Sequence, residues 1–324
     1  MSLGEFDLIG RYFARPVRRA ALGIGDDCAL LRPDPGQLLA TSTDMLVEGR
    51  HFLSTVAPQR LGHKALAVNL SDLAACGAQP LAFTLALSMP RVDEAFLDGF
   101  ARGLLALAEA QGIELVGGDT TAGPLTICIT VFGEVPAGQA LLRSGARAGD
   151  ALWLSHPRDG GPGDARLALE AFRGTVVLDG AAFERVRSRM EQPSPRVALG
   201  VALRGIASSA IDVSDGLLGD LRHVLACSVV GATVDADAVP MSADLAAQAP
   251  ALRRECTLAG GDDYELLFTA PSTREQAVRD AARLAGCGAT CIGRIEPASV
   301  GLRVVDGGGA PVNAAFAGFD HFRD

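Results

Sequence analysis

Apolar residues at helical spacing alternate along this chain with short, nearly continuous apolar runs of the kind found in strands. In the first half, the helical pattern predicts helices at residues 5–15, Pro58–Cys76 and Asp93–Gln111. Strand-like runs occur at Cys28–Leu31, Leu38–Met45, Leu81–Ser88, Ile113–Val116 and Leu125–Val135. Near-continuous apolar runs are expected where both faces of a sheet are covered. This half is therefore predicted to be a mixed unit of helices packed on a sheet.

The second half repeats this alternation after a joint rich in proline and glycine, between Pro136 and Asp150. Helices are predicted at 164–173, 181–190, 195–206, 216–226 and 273–285. Strands are predicted at 151–155, 210–213, 229–234, 265–269 and 290–295. We interpret the chain as an α+β protein with two mixed α/β domains, residues 1–137 and 148–305, and a loose C-terminal tail at 306–324.

Composition narrows the class of protein. A chain of 324 residues is longer than one hydrophobic core usually supports, which agrees with two domains. A net charge of −9 and only 5% aromatic residues argue against nucleic-acid binding. The uncharged stretch Leu73–Met89 is interrupted by Gly77 and Pro80, so no membrane span is predicted. The N-terminus has no apolar signal core, and the seven scattered cysteines are typical of reduced thiols, so we expect a cytoplasmic protein.

The chain contains a single lysine, Lys64, and this excludes one class of nucleotide-binding enzyme. The phosphate-binding loop of Walker-type NTPases requires a lysine within a glycine-rich loop. Leu61-Gly62-His63 precedes Lys64 and does not match that loop. Any ATP chemistry must therefore use a different phosphate-binding arrangement.

Six short aspartate clusters, most of them beside glycine, serine or threonine, are the candidate chemistry. They lie at Gly25–Asp27, Ser42–Asp44, Asn69–Asp72, Gly117–Thr120, Asp212–Gly216 and Gly260–Asp263. Carboxylates crowded together raise one another's pKa unless cations hold them. Hard oxygen ligands suit Mg²⁺, which commonly shares its coordination sphere with substrate phosphates. Together the clusters predict a metal-and-phosphate enzyme.

Each cluster also has a simpler structural interpretation. Gly25–Asp27 could be a β-turn, and Ser42–Asp44 could be a turn or a helix cap. Asn69 and Asp72, three residues apart, share one helix face, although Asp72 could instead cap a second helix after a break. Gly117–Thr120 is predicted to be a ligand-binding loop after a short strand.

The segment from Asp212 to Gly216 joins a predicted strand to a predicted helix. Ser214 and Asp215 could cap that helix, or the exposed amides at its N-terminus could bind phosphate oxygens. His51 could contact a phosphate, act as an acid–base group or simply be solvated, and Arg143 could contact a phosphate or be solvated between the domains.

Longer strings carry a resemblance to a known family. In order and spacing, the chain resembles the bacterial thiamine-monophosphate kinases, which belong to the aminoimidazole ribonucleotide synthetase-like superfamily. The strings are GEFDLIGRYF, LGIGDDCALL, STDMLVEGRHF, KALAVNLSDLAACGAQP, VGGDTT, LLRSGARAGD, PSPR, SAIDVSDGL, AGGDDYEL and GFDHF. The resemblance covers nearly the whole chain.

The resemblance implies Mg²⁺- and ATP-dependent phosphorylation of thiamine monophosphate to thiamine diphosphate, in a homodimer joined through a barrel of N-terminal sheets. It implies ATP between the two domains and a C-terminal tail that contributes to the substrate pocket. The implied metal ligands are Asp27, Ser42, Thr43, Asp44, Asp72, Asp119, Asp212 and Asp215. The implied ATP contacts are Gly118, Asp119, Arg143 and Ser214, and the implied thiamine contacts are His51, Asp262 and Phe319.

Two positions depart from the family pattern, and two other functions compete. Asp262 stands where relatives often carry glutamate, and Phe319 often corresponds to tyrosine or tryptophan, which have a polar tip. One competing function is that of a related ATP-dependent synthetase of the same superfamily. The other is a non-catalytic metal-binding protein, which would bind metal without being stabilised by Mg-ATP.

Overall fold

The computed structural model describes residues 4–312. Its helices are α1 (Glu5–Leu8), α2 (Pro58–Ala75), α3 (Glu94–Gln111), α4 (Asp164–Phe172), α5 (Gly180–Glu191), α6 (Val197–Ala202), α7 (Leu217–Ser228), α8 (Ala243–Ala246), α9 (Pro250–Ala259) and α10 (Glu275–Leu284). Its strands are β1 (Gln37–Val47), β2 (Gln79–Met89), β3 (Glu114–Ala122), β4 (Thr126–Pro136), β5 (Asp150–His156), β6 (Ser209–Asp212), β7 (Val230–Asp235), β8 (Leu266–Pro271), β9 (Gly288–Pro297) and β10 (Leu302–Val305). A π-helical turn follows α1, and none of the helices described is both long and apolar enough to cross a membrane.

The chain divides by its internal contacts into two units. The first comprises the residues up to Leu73 together with Ala78–Gly138, and the second comprises Ala74–Gly77 and the residues from Gln139 onward. Each unit contains one mixed sheet and its own helices, so the predicted α+β class is confirmed. The domain limits 1–137, 148–305 and 306–324 stay predictions.

The sheet of the first unit has the strand order β1-β4-β2-β3. β4 pairs antiparallel with β1 and with β2, whereas β2 and β3 are parallel and are joined through α3. The helices α2 and α3 pack unusually closely, because a Cβ on Gly62 would lie 2.0 Å from the carbonyl oxygen of Phe100 and a Cβ on Gly103 would lie 1.8 Å from that of Gln59. This contact holds α2, which carries Asp72, in a defined position.

The sheet of the second unit has the strand order β10-β7-β9-β5-β8-β6. Only β10 and β7 are parallel among its pairs. Trp153 of β5 is buried and stacks on Phe268 of β8, with ring centroids 6.5 Å apart. A core built from β5 to β10 and from α7 holds the segment between β6 and α7 against the sheet.

Several sequence predictions were wrong, and each error has a local cause. Cys28–Leu31 is not a strand, since this segment forms only an isolated bridge between Leu22 and Leu30. Residues 117–122 are not a loop, because they continue β3 in register with Thr84–Met89 of β2. The pattern also missed α8, α9 and β10, which are short or polar. These elements are stabilised by packing within the second unit, and their sequences show no strong periodic pattern.

Candidate functional site

Two strand residues and two helix residues of the first unit form a compact polar cluster, which we call the β1–α2 group (Ser42, Asp44, Asn69, Asp72). The Ser42 hydroxyl donates to Asp72 Oδ2 at 2.6 Å, and the Asp44 amide donates to Asn69 Oδ1 at 3.0 Å. Side chains two residues apart on a strand lie on one face, and those three apart on a helix do the same. The prediction that Asn69 and Asp72 share a face is confirmed.

The alternative interpretation of Asp72 as the cap of a second helix is wrong, because α2 runs unbroken from Pro58 to Ala75. Asp72 is a half-buried carboxylate inside this helix, and Asn69 beside it is only 1% exposed. Asn69 also donates from Nδ2 to the carbonyl oxygen of Ala65 at 3.0 Å, which fixes the orientation of its amide. The side-chain oxygen of Asn69, Oδ1, therefore faces β1.

Thr43 lies between Ser42 and Asp44 in β1, and its side chain leaves by the other face of the sheet. Its hydroxyl is 2.8 Å from the hydroxyl of Thr130, which is directly opposite on β4, and Thr43 is exposed. The structure thus brings the Ser42 hydroxyl to Asp72 and the Asp44 amide to Asn69, whereas the Thr43 hydroxyl lies on the other face. Three consecutive oxygen-bearing residues in a strand cannot all present their side chains to one ligand.

Asp27 and His51 lie in turns of the first unit. The Asp27 amide donates to Asp26 Oδ1 at 2.8 Å, and both aspartates are exposed, so this cluster has the turn geometry that its sequence also allowed. His51 Nδ1 accepts from the Val47 amide at 3.0 Å. This bond puts the proton of a neutral His51 ring on Nε2.

Gly118 and Asp119 lie within β3 and beside β2. A Cβ on Gly118, whose φ is +147°, would stand 1.8 Å from the carbonyl oxygen of Leu85, so no residue with a side chain fits there. Asp119 is exposed and stands opposite Ala86. Glycine at 118 is therefore explained by the approach of two strands, whatever else it contacts.

In the second unit, the segment Asp212–Gly216 turns sharply between β6 and α7. The amides of Ser214, Asp215 and Gly216 all donate to a single oxygen, Asp220 Oδ2, each at 3.1 Å. The first residue before α7 is Gly216, with φ +114°, so neither Ser214 nor Asp215 caps this helix. The interpretation of Ser214 and Asp215 as caps of this helix was therefore wrong, whereas phosphate binding at its N-terminus stays a prediction.

The charge state of this segment follows from crowding. Burial, together with the nearby Asp215 carboxylate, raises the pKa of Asp220 to about 7, although the three donated hydrogen bonds act in the opposite direction. Asp212 is also buried, with 5% of its surface exposed. The Asp215 and Asp220 carboxylates thus lie close enough for each charge to be felt by the other.

A second loop, Gly260–Asp263, packs directly on that segment. The Asp262 amide donates to the carbonyl oxygen of Ser214 at 2.8 Å, and a Cβ on Gly261 would lie 2.3 Å from the same oxygen. Asp262 and Tyr264 have φ values of +70° and +53°. Left-handed backbone at residues other than glycine costs about 1–3 kcal/mol and persists only where the surroundings impose it. The loop is thus held in a strained form that fixes the position of Asp262.

A buried ion pair follows this loop. Arg196, in the string PSPR, donates from Nε to Glu265 Oε2 at 2.7 Å and from Nη2 to Glu265 Oε1 at 2.5 Å. Ser155 also donates to Glu265, and its hydroxyl accepts from the Leu266 amide at 2.8 Å. Burial alone lowers the pKa of Arg196, and the Glu265 carboxylate more than offsets that effect. Arg196 and Glu265 belong to two of the strings that carried the resemblance, PSPR and AGGDDYEL, and their ion pair lies next to the Asp262 loop in sequence.

The carboxyl group of Asp263 is buried on the other side of the same loop. It accepts from the Gly163 amide at 2.8 Å through Oδ1, while Oδ2 is buried without a hydrogen-bond partner in the described part of the chain. Burial raises the pKa of Asp263 well above its usual range, and the neighbouring Asp164, Glu265 and Asp262 add to this. Through its bond from the Gly163 amide, Asp263 ties the loop before α4 to the Asp262 loop.

Asp164 gives a pH-dependent contribution to stability. Burial raises its pKa from 3.8 to about 6; the hydroxyl of Ser242 and the charge of Arg189 oppose this, whereas Asp244 and Asp159 add to it. Between pH 4 and 6 the unfolded chain releases this proton before the folded chain does, so folding loses stability as the pH rises. A shift of this size corresponds to on the order of 3 kcal/mol above pH 6.

Asp164→Asn is expected to gain stability relative to the wild type as the pH rises from 4.5 to 7.5. The asparagine keeps a carbonyl oxygen for the Ser242 hydroxyl, which is 2.5 Å away, but has no proton to lose. Urea unfolding at the two pH values measures the difference in unfolding free energy between variant and wild type. An identical difference at both pH values would contradict the assignment.

Arg143 and Phe319 complete the predicted positions. Arg143 is exposed, and its carbonyl oxygen accepts from the Ser228 hydroxyl at 3.1 Å, which anchors the backbone and leaves the guanidinium at the surface. Phe319 lies outside the described residues.

Comparison with known proteins identifies the family of this chain. Residues 25–135 match the family model "AIR synthase related protein, N-terminal domain", and residues 147–305 match its C-terminal counterpart. A thiamine-monophosphate kinase of Salmonella typhimurium is 46% identical over 99% of this chain and 99% of its own length. The chain belongs to the thiamine-monophosphate kinase family.

Solved structures of this kinase family have the same fold. The crystal structure of thiamine-monophosphate kinase from Stenotrophomonas maltophilia aligns with a TM-score of 0.86 and 44% identity, and it covers 96% of this chain and 99% of that chain. A structure described as AaThiL complexed with AMPPCP and TMP aligns with a TM-score of 0.76 and 28% identity, over 89% of this chain and 88% of its own.

Sequence reasoning about this kinase-family chain missed three residues that shape the site: Arg196, Asp220 and Glu265. Asp220 follows the Ser214-Asp215-Gly216 string by one helical turn, and that spacing was an available signal. Among residues 4–312, no three His, Cys, Asp or Glu side chains stand close enough to hold a metal ion by themselves. The convergence of all eight predicted ligands stays a prediction.

Proposed function

We propose that this chain transfers the γ-phosphoryl group of ATP to thiamine monophosphate and so forms thiamine diphosphate. The supporting observation is full-length membership of the kinase family, together with oxygen-rich clusters at the positions that the family strings contain. The relative described with AMPPCP, an ATP analogue, and TMP supports the same pair of substrates.

The donor set of the β1–α2 group fits Mg²⁺. Asp44 and Asp72 contribute carboxylates and Ser42 a hydroxyl, and hard oxygen donors of this kind suit that ion. We propose that the residues that hold Mg²⁺ are Asp27, Ser42, Thr43, Asp44, Asp72, Asp119, Asp212 and Asp215. The Thr43 hydroxyl lies beside that of Thr130, so its part in this set is the least supported by the geometry. When bound, Mg²⁺ offsets the negative charge of the phosphates.

The protein's own contribution is positioning. Phosphoryl transfer leaves little covalent chemistry for the protein, and a phosphate acceptor is already ionised at pH 7. We propose that Gly118, Asp119, Arg143 and Ser214 contact ATP and that His51, Asp262 and Phe319 contact the thiamine substrate. His51 is oriented by its bond from the Val47 amide, and the strained loop orients Asp262.

We propose that the transfer is direct and in line. The phosphate oxygen of thiamine monophosphate attacks the γ-phosphorus while the bond to ADP breaks, and no protein side chain becomes phosphorylated. A homodimer joined through the N-terminal sheets is part of the proposal. It is supported by the exposed Leu38, Leu39 and Met45 on β1, which is the edge strand of its sheet. A cytoplasmic location also stays a proposal.

The experiment is an incubation of the purified chain with ATP, MgCl₂ and thiamine monophosphate, with products measured by mass. We expect equal amounts of ADP and thiamine diphosphate, and no isotope exchange between ATP and ADP when the thiamine substrate is left out. ADP and inorganic phosphate without thiamine diphosphate would instead favour a related synthetase. Absence of turnover and of thermal stabilisation by Mg-ATP would favour a metal-binding protein.

A further inference from the structure

The three converging amides of Ser214, Asp215 and Gly216 have a consequence beyond the local fold. Consecutive backbone amides that point into one concavity form a nest, which ordinarily binds an external anion such as a phosphate. Here the anion is internal: Asp220 Oδ2 accepts all three bonds at 3.1 Å, and Asp220 is 3% exposed. The nest is filled by the protein itself and is not available to a nucleotide.

A filled nest determines the path of the chain that surrounds it. The three bonds fix the backbone of residues 214–216 and so limit the directions in which nearby side chains can extend. The side chains concerned belong to Ser214 and Asp215, which are partly exposed, and to Asp212, at the end of β6. The resemblance implies metal or nucleotide contacts for each of these three residues.

The opposite side of the segment is constrained as well. The carbonyl oxygen of Ser214 accepts from the Asp262 amide at 2.8 Å, and a Cβ on Gly216 would lie 2.8 Å from the carbonyl oxygen of Ala259. The segment is therefore held between Asp220 and the Gly260–Asp263 loop. A change at Asp220 would be transmitted to Asp262 through this contact.

We propose that Asp220 is a positioning residue that holds Asp212, Ser214 and Asp215 in place for Mg²⁺ and the nucleotide. The inference rests on the proposed function, since it assigns a role within the same site. Asp220 acts only through the backbone of residues 214–216 and does not touch the substrates. Groups that orient metal ligands from behind typically contribute about 10–100-fold to metal affinity or activity.

The test compares Asp220→Asn and Asp220→Ala with the wild type. In the alanine variant, the amides of residues 214–216 should exchange with deuterium faster, while peptides from β5 and β8 keep wild-type protection. Calorimetric affinity for AMPPCP with MgCl₂ should fall by about tenfold or more. The asparagine variant keeps one acceptor oxygen, so its amide exchange and its AMPPCP affinity should lie between those of the wild type and the alanine variant. The Mg²⁺ concentration that the asparagine variant needs for half-maximal turnover should rise by about the factor by which its AMPPCP affinity falls.

Asp179→Asn is the matched control. Asp179 lies in the same unit and accepts from the Ala182 amide at 2.8 Å at the start of α5, so the substitution changes the same chemical group at a helix N-terminus. It should leave the nucleotide affinity and the Mg²⁺ requirement unchanged.

Three results would overturn the inference: wild-type nucleotide affinity in both Asp220 variants, an equal loss in the Asp179 control, or failure of both Asp220 variants to fold. If the wild-type protein binds AMPPCP but does not phosphorylate thiamine monophosphate, this result contradicts the proposed function and not the role of Asp220. The exchange and affinity measurements would still decide the role of Asp220 in that case.

Discussion

Asp72→Asn is expected to lower the turnover number by about 100-fold or more while the fold stays intact. The asparagine has nearly the shape of the aspartate and keeps an oxygen for the Ser42 hydroxyl, which now bonds Asp72 Oδ2 at 2.6 Å. It loses the negative charge that we assign to holding Mg²⁺ beside the phosphates. Initial rates at saturating ATP and thiamine monophosphate, together with a thermal unfolding curve, measure both parts of this prediction.

Asp98→Asn supplies the control for Asp72. Asp98 is in the same unit, on α3, and its exposed side chain pairs with Arg102 one turn away. The same chemical change there should leave turnover at the wild-type value. Wild-type turnover in Asp72→Asn would remove Asp72 from the site, and an equal loss in both variants would show that the effect is not specific to the β1–α2 group.

Breaking the Arg196–Glu265 pair is expected to cost about 3–5 kcal/mol of unfolding free energy. Only 12% of the Arg196 side chain and 6% of the Glu265 side chain are exposed, so Arg196→Met leaves a carboxylate buried with the Ser155 hydroxyl as its remaining partner. The double variant Arg196→Met with Glu265→Leu should recover most of the loss, because no unpaired charge remains. Urea unfolding followed by the fluorescence of Trp153, the only tryptophan, measures the second unit directly.

Arg283→Met is the comparison for this pair. Arg283 forms an ion pair with Asp280 on the surface of α10, and 72% of its side chain is exposed, so its loss should leave the unfolding midpoint unchanged. If Arg196→Met is no more destabilising than Arg283→Met, the buried pair does not stabilise the unit. If the double variant is less stable than either single variant, the unpaired charge is not the cause of the loss.

The strong periodic elements could be predicted from sequence because their apolar residues recur at a regular spacing. α2 and α3 were predicted to within a residue or so at each end, and Asp93, the predicted start of α3, caps that helix through the Phe96 amide at 3.1 Å. The same spacing placed Asn69 and Asp72 on one face, where both contact β1.

Glycine residues were the least reliable basis for predicting loops from the sequence. Gly117-Gly118 indicated a loop, since glycine commonly ends strands. The segment nevertheless continues β3, because β2 lies so close to Gly118 that only glycine fits. A glycine in sequence indicates that a Cβ is excluded, but it does not say whether a turn or a neighbouring strand excludes it.

The sequence by itself determined the family, the two-part α/β organisation and the residue types that can hold Mg²⁺ and phosphate, because these depend on local spacing and on order along the chain. The tertiary structure decided which oxygens meet. The Thr43 hydroxyl lies on the face of β1 away from Asp72, and the amides of residues 214–216 donate to Asp220. Arg196 pairs with Glu265, which is 69 positions away in sequence. Such contacts arise from sheet register and burial, which bring distant residues together and which local patterns do not encode.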